Sequence, residues 1–248
     1  MSDHYTFNEI MERRSAATHR ANNAAKSYYR VRQALGYLGL ALPFILIFSG
    51  LFGAQHLEPS ISDFFHTFSR DIFVGTMFAI GVFLVSYDGY VREPGESFSD
   101  NWITTIAGIS AFGVALFPNE SPNGQVETLS QYAVGIERSP LVHYACALTF
   151  FACLAQINLS KFAKTKDLAR RRIYVGCARL IWVAALFIGV FSVLKLKGGP
   201  VAQAVVLDYN LVFWAEAIGI WAFALSWLAK GRADKSLLGI LGKKRKSG

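Results

Sequence analysis

Six stretches of almost uninterrupted apolar residues divide the chain, at about 34–54, 71–91, 102–117, 139–158, 174–194 and 210–229. Each approaches the ~20 residues that a helix needs to cross the hydrocarbon of a bilayer, the third being the shortest. In lipid the backbone has to satisfy its own hydrogen bonds, so such runs predict helices. No alternation of polar and apolar positions competes with them, which argues against a β-barrel. The predicted fold is all-α: a polytopic membrane protein with a bundle of six transmembrane helices over 34–229. A basic N-terminal arm at 1–33 and a basic tail at 230–248 flank it. Helical spacing of alanines around 15–29 predicts a surface helix in the arm, and Pro43 predicts a kink in the first span.

Small residues recur every four positions at Ala107, Ala111 and Ala115, at Gly75 with Ala79, and at Ala215 with Gly219. Helices approach closely along such stripes, so these positions predict packing seams. The segment 118–138 is rich in Pro, Asn and Gly, and is expected to cover one end of the bundle. It contains Asn119-Glu-Ser121, which fits a glycosylation sequon. At 195–209 a Lys-Gly-Gly-Pro turn precedes an apolar piece, 201–207, that reads as a short strand or as a re-entrant edge.

Charge orients the bundle. The arm, the 159–173 loop, the segment after the second run and the tail together hold twenty Lys and Arg, against four (Arg70, Arg138, Lys195, Lys197) on the opposite side. By the positive-inside rule both termini are expected in the cytoplasm. Tyr90, Trp102, Trp227, Tyr209 and Trp214 fall where interfacial aromatic anchors are expected. Arg179 is placed to pair with Asp88 or to snorkel.

Composition agrees. The 248 residues are 53% hydrophobic and 14% aromatic, with mean hydropathy +0.33. The net charge of +8 is accounted for by orientation, so no nucleic-acid partner is needed. Cys146, Cys153 and Cys177 all lie in apolar runs and read as small buried hydrophobes. The first apolar run follows a long polar arm, so it reads as an uncleaved signal anchor, as in a bacterial inner membrane.

Orientation also collects the chemistry. His56, His66 and His143 fall toward the outer side, and Glu216 lies about two turns into the sixth span from that side. A carboxylate at lipid depth is expected to face the bundle interior and to bind a ligand or carry a proton. Asp71, Ser62 and Arg70 are further candidates, Asp71 also being favourable to the helix dipole. If 61–71 is helical, Ser62, His66 and Arg70 share one face. His66 and His143, with Asp71 or Glu216, have the residue types of a three-ligand zinc site with an open water position; His56 is a weaker metal candidate. His56 and His66 also read as ordinary interfacial residues, His143 as a residue that hydrogen-bonds a neighbour, and Asp71 as the N-terminal charge of its helix; Glu216 has no such simple alternative.

Ser62-Asp-Phe-Phe-His66 resembles the Ser-x-x-x-His spacing of the CREST superfamily, which includes the alkaline ceramidases and the progestin and adiponectin receptors. That resemblance implies a membrane helical bundle in which histidines hold a zinc-bound water that acts on lipid amides. It reaches Ser62 and His66; no histidine follows His143, and six apolar runs stand where that superfamily has seven helices. The stretches 70–90 and 143–155 also resemble short blocks of uncharacterised multi-pass bacterial membrane proteins.

Two functional expectations follow. One is an integral membrane protein that binds a small ligand or membrane lipid at its outer polar site, as a sensor or accessory subunit, with other membrane subunits or as a homo-oligomer. The other is a CREST-like metal-dependent hydrolase of a lipid amide or ester. A transporter is a weaker third, since neither an internal repeat nor a charge chain across the membrane is present. The sequence contains no Walker loop, dinucleotide fingerprint or serine nucleophile elbow.

Overall fold

The computed structural model describes residues 7–54, 56–87 and 100–232. Among them the secondary structure is helical throughout, with no strand. The helices are α1 Phe7–Ser49, α2 Arg70–Val85, α3 Asp100–Leu116, α4 Leu129–Val134, α5 Ser139–Ser160, α6 Leu168–Lys197, α7 Pro200–Asp208 and α8 Leu211–Lys230. Asp88, Tyr90 and the Lys243–Lys246 run lie outside the described residues, and with them the expected Asp88–Arg179 pair.

Four helices are long and apolar enough to cross a membrane: Met11–Gly53, Ser139–Lys164, Leu168–Lys197 and Leu211–Lys230. α2 and α3, with 16 and 17 residues, are shorter. Large apolar side chains such as Phe48, Phe52, Leu141, Leu186 and Val193 lie exposed on the outer surface of the helices. In water such a belt would be unfavourable; against acyl chains it is the expected surface.

α1 departs from the sequence expectation. It runs unbroken for 43 residues, with Pro43 inside it, so the arm continues the first apolar run rather than forming a separate helix. A π-helical turn, Gly50–Ala54, ends it. The 201–207 piece is not a strand but the centre of α7. Pro200 opens α7 where a missing N–H is harmless, and Val206 is buried; helix formation satisfies the backbone that an isolated strand would leave open.

α8 is the most enclosed of the long helices: 67% of its apolar window is buried, against 39–44% for the other three. It packs on α1, α5 and α6. Gly36 and Gly39 of α1 lie so close to Leu228 and Phe223 that a methyl group on either would collide. Gly219 stands equally close to Phe151 of α5 and Ala184 of α6. Ala107, Ala111, Ala115 and Ala215 are buried as the stripes predict, but Gly75 faces open space and forms no seam. α2 and α3 meet instead at Gly81 and Gly108, each facing the other's carbonyl.

Candidate functional site

Between the π turn and α2 the chain folds back over one end of the bundle as a cap. Its centre is a 3₁₀ turn, Ser62–His66, and it is tied at Pro59, whose carbonyl accepts Phe213 N–H at 2.9 Å. That contact satisfies one of the donors that every helix leaves open in its first turn, here that of α8.

A 3₁₀ turn repeats every three residues, and this decides which side chains meet. Ser62 and His66, four apart, do not share a face as the helical expectation had them. Asp63 and His66 do, and both bind Asn119: its amide donates to Asp63 Oδ1 at 2.5 Å, and its Oδ1 lies 3.1 Å from His66 Nε2. His66 Nδ1 lies 3.1 Å from Glu127, and Lys195 at the end of α6 reaches Asp63 at 2.8 Å. Ser62 turns the other way, into the bundle.

There it meets Glu216 and His143. Glu216 is 7% exposed and His143 1%. Ile61 N–H donates to Glu216 Oε2 at 2.6 Å, and the Ser62 hydroxyl lies 3.4 Å from Oε1. That hydroxyl is 2.8 Å from His143 Nε2, while His143 Nδ1 is 2.7 Å from the carbonyl oxygen of Phe117. A carbonyl only accepts, so Nδ1 carries a proton and donates. Two arrangements of the rest satisfy every atom. With a neutral imidazole, Ser62 donates to Nε2 and a protonated Glu216 donates to Ser62. With an imidazolium, Nε2 donates to Ser62 and Ser62 donates to an ionised Glu216. The two differ by passing one proton through a hydroxyl, with no change in total charge.

A cavity of about 20 Å³ adjoins Ser62 and Glu216, walled mainly by Phe73, Met77, Phe150 and Phe151. That is room for about one water and far from enough for an acyl chain.

Of the expected residues, the structure brings Ser62, His143 and Glu216 together and leaves the others apart. His66 belongs to the outer layer with Asp63 and Asn119. Arg70 stacks its guanidinium 4.1 Å from the Phe65 ring, Asp71 sits exposed in the first turn of α2, and His56 pairs with Glu58 at 3.0 Å. Asn119 is buried with its amide engaged, which removes it as a glycosylation acceptor.

The zinc expectation fails the test of fit. Both ring nitrogens of His66 and both of His143 are taken by separate sets of protein groups, and no three His, Cys, Asp or Glu side chains among the described residues are arranged to hold a metal ion. The sequence reading missed Asn119, Lys195, Glu127 and the Phe117 carbonyl; the first three are ordinary loop or helix-end residues in sequence, and nothing in their spacing marks them. Compared with family models, with curated proteins and with solved structures, the chain matches none.

Proposed function

We propose that this chain is an integral membrane protein that crosses the membrane six times with both termini in the cytoplasm. In this reading it binds a small polar ligand or a lipid headgroup at its outer end, as a sensor or accessory subunit. The crossings are supported by the four long apolar helices and by the close α2–α3 pair beside them. The orientation is supported by the charge count.

One observation carries the binding role. Glu216, on the most enclosed helix, holds two groups of the cap: one oxygen accepts Ile61 N–H and the other is hydrogen-bonded to the Ser62 hydroxyl. A ligand that presents N–H or O–H groups competes for the same carboxyl and releases the cap. Asp63–Lys195 and His66–Glu127 then carry the displacement to α6 and to the outer loop. Native mass spectrometry of the chain purified from its own membranes tests this: the wild type is expected to retain a small molecule or lipid that Glu216→Ala and Ser62→Ala lose. Identical retained species in all three would overturn the reading.

One contact favours a second reading, hydrolysis. Ser62 stands 2.8 Å from an imidazole that the Phe117 carbonyl orients, the geometry of an activated nucleophile. Against it, Glu216 covers the hydroxyl and the adjacent cavity has no space for a substrate. A fluorophosphonate probe is expected to leave Ser62 unlabelled; labelling that disappears in His143→Ala would favour the hydrolase.

A further inference from the structure

α4, Leu129–Val134, is turned inside out. It has six residues and lies in the outer loop at the cap end of the bundle. Thr128 and Gln131 close a capping box around its first turn. Gln131 N–H donates to Thr128 Oγ1 at 3.1 Å, while Gln131 Oε1 accepts Thr128 N–H at 3.2 Å and Glu127 N–H at 2.7 Å. The box turns the Gln131 side chain inward, where it is buried. The Ser130 hydroxyl reaches back and donates to the Leu116 carbonyl at the end of α3. The polar side chains of this helix are thus engaged with the protein, and its large apolar ones are not. Leu129 is 82% exposed and Tyr132, one turn further, 80%.

Nothing in the box requires this. The same hydrogen bonds would form with polar residues at 129 and 132, and those are the residues that a turn facing water favours.

Placement says what covers these two side chains. The bond to Leu116 sets α4 against the last turn of α3, and α4 also packs on α5, which begins at Ser139. α5 is one of the helices long and apolar enough to cross a membrane, so α4 lies where that crossing begins. Leu116 and, in the first turn of α5, Leu141 are exposed at the same level, so the outward face of α4 continues the apolar belt. A second protein fits poorly: protein interfaces take about 20–30 residues from each side, and this loop offers Leu129, Tyr132 and the exposed Val126. Tyrosine suits the headgroup region of a bilayer, because its ring is apolar and its hydroxyl can stay wet.

We propose that α4 is an interfacial anchor, with Leu129 and Tyr132 seated in the headgroup boundary of the lipid bilayer. Glu127, two residues before the helix, pairs with His66 of the cap at 3.1 Å, so the loop that rests on lipid is also the loop that holds the cap. The proposal rests on α5 crossing the membrane; it depends neither on the ligand role proposed above nor on which face is cytoplasmic.

The test uses the full-length chain in lipid nanodiscs, carrying Cys146→Ala, Cys153→Ala and Cys177→Ala and one spin label at a time. Leu129→Cys and Tyr132→Cys report on α4, Asn123→Cys on the exposed loop, and Leu148→Cys on the exposed face of α5. Labels at 129 and 132 are expected to meet oxygen more readily than a water-soluble nickel chelate, with chelate access several-fold below that of Asn123→Cys. Chelate access equal to that of Asn123→Cys would place α4 in water and overturn the proposal. Protection from oxygen and chelate alike would place a protein contact there and overturn it too. A chelate-accessible Leu148→Cys would overturn the membrane crossing of α5 itself, and the anchor with it. If the cysteine-free chain does not fold, the wild type decides: phosphatidylcholine with a diazirine close to its glycerol is expected to label the segment 126–134, and labelling confined to the long helices overturns the anchor.

Discussion

Glu216→Ala and Glu216→Gln separate a latch from a mere polar filler. Alanine leaves the buried Ile61 N–H without its acceptor, a loss of about 1–3 kcal/mol, whereas glutamine keeps an oxygen for it. Alanine is therefore expected to lower unfolding stability in detergent by at least ~1 kcal/mol more than glutamine. Equal losses would mean that Ile61 does not depend on this side chain. Glu216 was legible in the sequence because a carboxylate among Phe213, Trp214, Ile218 and Ile220 has no inexpensive place in lipid. His143 was legible as a histidine near the start of the fourth apolar run, at the same end of the bundle as Glu216. Asn119 and Lys195 were not, because their role exists only once the chain has folded: Lys195 meets Asp63 across 132 positions of sequence.

A difference of period separates the expected from the observed cap. An α-helix over 61–71 would have put Ser62 with His66; the 3₁₀ turn, broken at Thr67–Ser69 before α2 begins, pairs Asp63 with His66 and sends Ser62 inward. Hydropathy cannot distinguish these two helices over five residues. The small-residue stripes were read with mixed success for a similar reason: spacing shows that a face is narrow, not which neighbour it meets. Gly108 and Gly75 make the contrast measurable. A Cβ on Gly108 would lie 2.7 Å from the Gly81 carbonyl, a backbone atom that cannot swing aside, whereas Gly75 has nothing within 4 Å. Gly108→Ala is expected to destabilise by about 1–3 kcal/mol. Gly75→Ala is expected to be neutral or to stabilise by up to about 1 kcal/mol, since alanine is the better helix former. Thermal unfolding of the two variants in one detergent checks both.

For the molecule as a whole, helical class and membrane character were legible, because long apolar runs leave the backbone few alternatives. Span lengths were less so: α2 ends at Val85, well short of its 71–91 run, whereas α3 is as short as its run suggested. Orientation is testable directly. Asn123→Cys is expected to react with an impermeant maleimide in intact cells, and Thr165→Cys only after permeabilisation; the reverse pattern would invert the molecule. The Asp63–Lys195 pair joins the cap to α6 at 2.8 Å, with both side chains mostly buried. Little water reaches such a pair, so a double-mutant cycle with Asp63→Asn and Lys195→Met is expected to give a coupling of about 1 kcal/mol or more. A coupling of zero would detach the cap from α6 energetically.

α1 reaches from one end of the protein to the other. At 1.5 Å per residue its 43 residues make a rod of about 65 Å. Arg32 stands along it, the C-terminal end of the helix leads through the π turn into the cap, and Ser49 hydrogen-bonds Ser69 just ahead of α2. Without an intervening loop to absorb strain, α1 works as an axle: a tilt imposed near its N-terminal end arrives at the cap undamped, and a load on the cap is felt at the opposite end of the rod.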